Sequence, residues 1–219
     1  MKIMLTVEKA RERVAKFSQR MAASHLVLGT WGNVSCRLPR EDMVVITPSG
    51  VPYENLRPNM TVVLNRQGGV EEGELKPSSE ARVHLAVYDA RSDVGAVVHT
   101  HSPFASALAV ARTSIPPILE DMAALIGGEV AVAQYAVAGS DQLATNTVKA
   151  LGEKNAVLLA NHGVIAVGRD LDEAFSVCMM VERCAHIYLA AKQVGEPNVL
   201  SVADVKIMRE FYLTQYGQQ

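Results

Sequence analysis

The sequence predicts an α/β fold: a single domain over residues 1–219 in which a sheet is covered by helices in three layers. Three observations carry this. Segments of helical and strand periodicity mix along the whole chain, with no linker, repeat or low-complexity tract between them. Residues 94–100 are almost continuously apolar, the pattern of a strand buried on both faces. Hydrophobic residues make up 49% of the 219, enough for the core of one large domain and too many for a disordered chain.

The elements follow in order. From residue 7 to 28, Val7, Ala10, Val14, Phe17, Met21 and Val27 keep a helical spacing with charges on the other face, and Gly29 is a usual stop. Residues 33–38 and 43–47 are short strands joined by a polar turn at 39–42. A loop at 48–52 precedes a strand at 61–65, and a turn at 67–69 leads to a helix over 78–91. After the buried strand come a helix at 103–112, ended by Ile115-Pro116-Pro117, and a helical turn or two at 121–126, closed by Gly127-Gly128. A strand at 130–134, a helix at 140–151 and a strand at 156–160 follow. A long helix over 171–194 and a final one over 202–216 complete the chain.

Charge narrows the function classes. With 21 basic and 23 acidic residues the net charge is -2, so bulk charge gives no case for binding nucleic acid. Charges within residues 1–13 break any apolar leader, and no stretch suits a bilayer, so neither a targeting segment nor a membrane partner is expected. Cys36, Cys178 and Cys184 cannot all pair, and the expectation is three buried, reduced thiols in a cytoplasmic protein.

The histidines carry the chemistry. His99-Thr100-His101 closes the buried strand, where side chains two apart share a face and two imidazoles can reach one metal at about 2.0–2.1 Å. His162 follows strand 156–160 directly, and Gly163 beside it permits a close backbone approach. Glu80, near the start of helix 78–91, is the fourth candidate. Three histidines and a carboxylate suit catalytic zinc or another borderline divalent metal, although spacing alone does not bring the four together. His25, His84 and His186 are read as satisfied structural residues.

Three segments have the donors a phosphate needs. Gly32-Asn33 follows a helix and a tight turn, Ser49-Gly50 follows a strand, and Ser78-Ser79 sits at an expected helix N-terminus, where free N–H groups favour an anion. Each alone is also ordinary turn and capping chemistry, and none is a nucleotide-binding fingerprint.

Together these residues resemble the class II aldolase family that includes L-fuculose-phosphate aldolase and L-ribulose-5-phosphate 4-epimerase. The resemblance covers residues 29–216. Five motifs stand in the family's order: Gly32-Asn33-Val34-Ser35, Thr47-Pro48-Ser49-Gly50, Lys76-Pro77-Ser78-Ser79-Glu80, His99-Thr100-His101-Ser102 and Asn161-His162-Gly163. It implies an α/β/α sandwich around a mainly antiparallel sheet. His99, His101, His162 and Glu80 would hold one zinc per subunit, with another divalent metal as the alternative. Gly32, Asn33, Ser49, Gly50, Ser78 and Ser79 would surround the phosphate of a sugar-phosphate substrate. Glu80 would become the base once substrate displaces it from the metal, in an aldolase that needs no lysine Schiff base.

The resemblance departs at two places. Where the fuculose enzyme has a tyrosine acid this chain has Glu120, followed by Asp121, and Ala138 replaces an aromatic aldehyde contact. Tyr216 matches a C-terminal tyrosine that reaches a neighbour's site in the family's homotetramer, which puts the sites at subunit interfaces. The leading expectation is a zinc-dependent aldolase of a phosphorylated ketose or deoxyketose, yielding dihydroxyacetone phosphate and an aldehyde. A dehydratase, 4-epimerase or decarboxylase of a related sugar phosphate, such as methylthioribulose 1-phosphate, is the nearest alternative. A non-catalytic interaction domain like the adducin head, which lacks these ligands, is the remote one.

Overall fold

Valine, isoleucine and alanine dominate the inner strands, and branched side chains suit a pleated surface that is covered on both sides. The computed structural model describes residues 5–38 and 42–217, and eight strands form one sheet. They are β1 (Asn33–Leu38), β2 (Met43–Ile46), β3 (Val62–Asn65), β4 (Val70–Glu72), β5 (Ala96–Thr100), β6 (Val132–Ala133), β7 (Ala156–Leu159) and β8 (Gly163–Gly168). Their order is β4-β3-β2-β1-β5-β8-β7-β6. Only the β6–β7 pairing is parallel among the described residues, which bears out the mainly antiparallel sheet.

Helices cover both faces, and the three-layer expectation holds. On one side α1 (Val7–Ala23), α3 (Pro103–Val110), α4 (Glu120–Ile126) and α6 (Leu171–Val194) pack against Val34, Cys36, Val98, Leu158 and Ala166. On the other, α2 (Ala81–Ala90) and α5 (Asp141–Leu151) lay Val83, Val87, Leu143 and Leu151 on Val97, Val157, Ile165 and Val167. Neighbours in one strand thus serve different cores, Val97 one and Val98 the other, and all of β5 is buried. α6 is long and apolar enough to cross a membrane by length and composition, yet Ala174, Phe175, Val177 and Val181 are spent on the core. α7 (Val202–Thr214) buries none of its residues; Arg209 ties it to α4 by donating to the carbonyls of Ala124 and Leu125.

Four differences from the sequence reading have local causes. α1 ends at Ala23, because the Ser24 and His25 N–H groups close on Arg20 and Ala22 and His25 turns left-handed at φ 55°. α2 begins at Ala81, because Pro77 is drawn into an antiparallel bridge with Pro48. β6 keeps two residues of the expected strand, at the sheet's edge. Strands β4 and β8 were not anticipated, and β8 hid between the Asn161-His162-Gly163 motif and α6. The turn expected at 39–42 lies, apart from Asp42, outside the described residues.

Candidate active site

Strand pairing gathers the candidate ligands. His99 lies in β5 between Asn33 of β1 and Ile165 of β8. His101 follows just beyond the strand, its N–H bonded to the Leu26 carbonyl at 3.0 Å. His162 sits in the turn from β7 to β8, where Asn161 is left-handed at φ 54° and its side-chain oxygen accepts from Arg112. The next residue must be glycine, since a Cβ on Gly163 would stand 2.2 Å from the Thr100 carbonyl oxygen. Glu80 occupies the N-cap position of α2.

The four donor atoms all lie within 4.8 Å of one another. His99 Nε2 is 2.9 Å from His101 Nε2 and 3.2 Å from His162 Nε2. Glu80 reaches His99 Nε2 with Oε2 at 3.1 Å and His162 Nε2 with Oε1 at 3.3 Å. A tetrahedral ion bonded at about 2.0–2.1 Å keeps its donors roughly 3.3–3.4 Å apart. The observed separations approach those edges, and three imidazole nitrogens with one carboxylate are a suitable donor set. His99 Nδ1 donates to the Val164 carbonyl at 2.8 Å, so a neutral His99 turns the Nε2 lone pair to the cluster. These residues fit a divalent metal.

The electrostatics divide the three imidazoles between one paired with Glu80 and two held neutral. Burial opposes the Glu80 charge, but His99, by charge and hydrogen bond, with His162 and Asn33, holds the carboxyl below its usual range. Burial likewise pushes His99 down, and Glu80 and the Val164 carbonyl more than reverse it, so His99 is raised. His101 is pushed down to about 3 and His162 to about 4, by burial first and then by the charge on His99. Both are neutral near pH 7, the form that ligates a metal.

The three segments expected to take a phosphate are zipped together beside this cluster. The Ser49 N–H donates to Lys76 O at 2.9 Å, and the Ser78 N–H to Thr47 O at 3.0 Å. Thr47 Oγ1 in turn accepts the Val34 N–H at 3.2 Å. Gly32, at φ 106°, has no room for a side chain against Val27 and the His99 carbonyl, and its own carbonyl accepts from Tyr53. Ser49, Gly50 and Ser79 are exposed and Ser78 is buried. Asn33 is also buried, and its amide is turned to Glu80 and His84.

The remaining expected residues stand apart. Glu120 is exposed in the first turn of α4, and among the described residues it makes no hydrogen bond or ion pair with the cluster. Tyr216 is exposed beyond α7, with its ring 5.4 Å from that of Tyr212, and Ala138 is exposed in the loop before α5. The sequence reading missed His84, Ser35 and Tyr88, which are hydrogen-bonded behind Asn33. Their signal was spacing: Glu80, His84 and Tyr88 are four apart on a helix, and Asn33 and Ser35 two apart on a strand.

Residues 12–189 match the family described as Class II Aldolase and Adducin N-terminal domain. The chain belongs to that family. It is 38% identical to the 5-deoxy-D-ribulose 1-phosphate aldolase of Bacillus thuringiensis serovar kurstaki, over 98% of this chain and all of the relative. With the L-fuculose phosphate aldolase of Escherichia coli K12 it shares 39% identity over 86% of each chain. The solved structure of an L-fuculose 1-phosphate aldolase superposes with a TM-score of 0.90 at 38% identity, covering 93% of this chain and 96% of the other. The expected fold and activity are borne out with the family: the protein is a class II aldolase, a carbon–carbon lyase, and the family implies a divalent metal.

Proposed function

We propose that this class II aldolase uses zinc to cleave or form the carbon–carbon bond of a phosphorylated ketose or deoxyketose, giving dihydroxyacetone phosphate and an aldehyde. The observation that carries the reading is the convergence of three imidazole Nε2 atoms and the Glu80 carboxylate beside three interlocked, donor-rich loops. His99, His101, His162 and Glu80 hold the ion, which when bound supplies a Lewis acid for the ketose carbonyl. Gly32, Asn33, Ser49, Gly50, Ser78 and Ser79 take the phosphate, mostly through backbone N–H groups and hydroxyls. Glu80, once substrate takes its place as ligand, is the base: its carboxyl is held ionised and moves the proton at the carbon next to the carbonyl. Glu120, or Asp121 one residue on, takes the proton from the hydroxyl that becomes the aldehyde oxygen on cleavage and returns it to that oxygen on synthesis.

The chain acts as one domain in a cytoplasmic homotetramer, with each site at a subunit interface and Tyr216 reaching across it. The exposure of Tyr216 and of α7's apolar Ile207, Phe211 and Leu213 supports this, as do three buried, unpaired cysteines. The test is product identity. Zinc-loaded protein given L-fuculose 1-phosphate or 5-deoxyribulose 1-phosphate releases dihydroxyacetone phosphate, seen with a coupled dehydrogenase. Release of none from either substrate, with the zinc bound, rejects the proposal.

A further inference from the structure

Glu80, His84 and Tyr88 project from one side of α2 and its N-cap, and Asn33 and Ser35 from the facing side of β1. The five side chains join into one line of hydrogen bonds. Tyr88 Oη lies 2.7 Å from Ser35 Oγ, which lies 2.6 Å from His84 Nδ1. His84 Nε2 bonds Asn33 Oδ1, and Asn33 Nδ2 donates to Glu80 Oε2 at 3.0 Å. Ser35 and His84 are wholly buried, and Asn33 and Tyr88 are 3% and 4% exposed. Groups this buried are satisfied chiefly by one another, so the five have to agree on which end of each bond donates.

The ends dictate its sense. An ionised Glu80 only accepts, so Asn33 presents its NH2 to the carboxylate and its oxygen to His84. That oxygen needs an N–H, which places the His84 proton on Nε2. Nδ1 is then a bare acceptor and takes the Ser35 hydroxyl. The Ser35 oxygen accepts from Tyr88, whose proton burial holds in place. With the proton on Nδ1 instead, His84 would offer Asn33 a lone pair. The amide would turn over, and its oxygen would face the Glu80 carboxylate at about the distance its NH2 now does, acceptor against acceptor.

We propose that His84 is a positioning residue, held as the Nε2–H tautomer by Ser35 and Tyr88. It fixes the Asn33 amide toward Glu80 and thereby keeps the carboxylate on the histidine cluster. This rests on the reading of Glu80 as metal ligand and base. It also gives Asn33 a task other than the phosphate: its oxygen and one of its N–H groups are committed to His84 and Glu80.

The test reads the relay separately from the reaction. In the metal-free full chain at pH 7, long-range proton–nitrogen NMR should find the His84 proton on Nε2. A proton on Nδ1, or on both nitrogens, overturns the proposal. His84→Leu removes the donor at similar volume, and zinc affinity, measured against a competing chelator, should fall roughly 10–100-fold. The kcat should fall with it while KM barely moves, and His84→Gln, which keeps an N–H near Nε2, should restore most of both. A leucine variant with wild-type zinc affinity and kcat overturns the proposal. If that variant does not fold, the tautomer of the wild-type protein decides alone. Failure of the wild-type protein to cleave any ketose phosphate would reject the aldolase substrate and leave the tautomer and zinc measurements standing.

Discussion

His99 donates its Nδ1–H to the main-chain carbonyl of Val164, 2.8 Å away, and so, when neutral, meets the other three donors with a lone pair. The partner is backbone, so β8 supplies this support whatever its side chains. Removing the imidazole itself is therefore the cleanest break. His99→Ala should copurify with no stoichiometric divalent metal and show background activity, while circular dichroism stays near wild type. Full metal content in that variant, by atomic absorption, would contradict the assignment.

Trp31 is the one tryptophan in the sequence, and its exposed ring stands 6.2 Å from that of His101. Adding Co2+ to metal-free protein should quench its fluorescence with a one-to-one endpoint. His101→Ala should abolish the change. A quench that survives in the variant would place the metal elsewhere.

Gly32 combines φ 106° with a Cβ position 2.8 Å from the His99 carbonyl oxygen. Gly32→Ala should cost about 1–3 kcal/mol in urea unfolding, from the backbone conformation alone, and more from the clash. An unchanged midpoint would mean that the loop relaxes freely.

Glu80→Gln keeps the shape and still lets Asn33 donate, but removes the charge and the proton acceptor. Turnover should fall by roughly 10²–10⁴ with zinc saturating, and the thermal midpoint should barely change. Retention of more than a tenth of wild-type kcat would remove Glu80 from the role of base.

His84 gives stability a pH dependence. Burial, then the charge on His99, pushes it from 6.5 down to about 3 against the opposing pull of Glu80. As pH falls below 6.5 the unfolded chain takes up this proton, and the folded chain does not until about 3. The contribution is complete above pH 6.5 and is lost across that window, at about 1.4 kcal/mol per pH unit. Urea unfolding of wild type and His84→Gln between pH 7 and 5 should show the steeper fall in the wild type. Parallel curves would show that His84 takes up its proton equally in the folded and unfolded chain.

Much of the fold was legible because period and burial agree. Residues 94–100 read as doubly buried, and β5 is; residues 171–194 read as one helix, and α6 has those bounds. β8 escaped because its four apolar residues stand between two glycines, which mark turns more often than strands. The metal ligands were nameable from residue type and motif order, but their meeting depends on β1, β5 and β8 lying side by side, which periodicity does not encode. By sequence His84 is a structural histidine. Its link to Glu80 runs through Asn33, on another element, and no linear spacing contains that step.

The central strands carry one more consequence. His99 is flanked by Asn33 and Ile165, both far from it along the chain, so the donor set cannot be half assembled. A fragment ending before β8 lacks the Val164 carbonyl that orients His99, and one beginning after β1 lacks the amide that steadies Glu80. An ion that binds only the finished set therefore draws the entire middle of the sheet toward the native state, by mass action. Metal scarcity would then shorten the enzyme's lifetime against proteolysis as well as idle it, and occupancy would set how much of it persists.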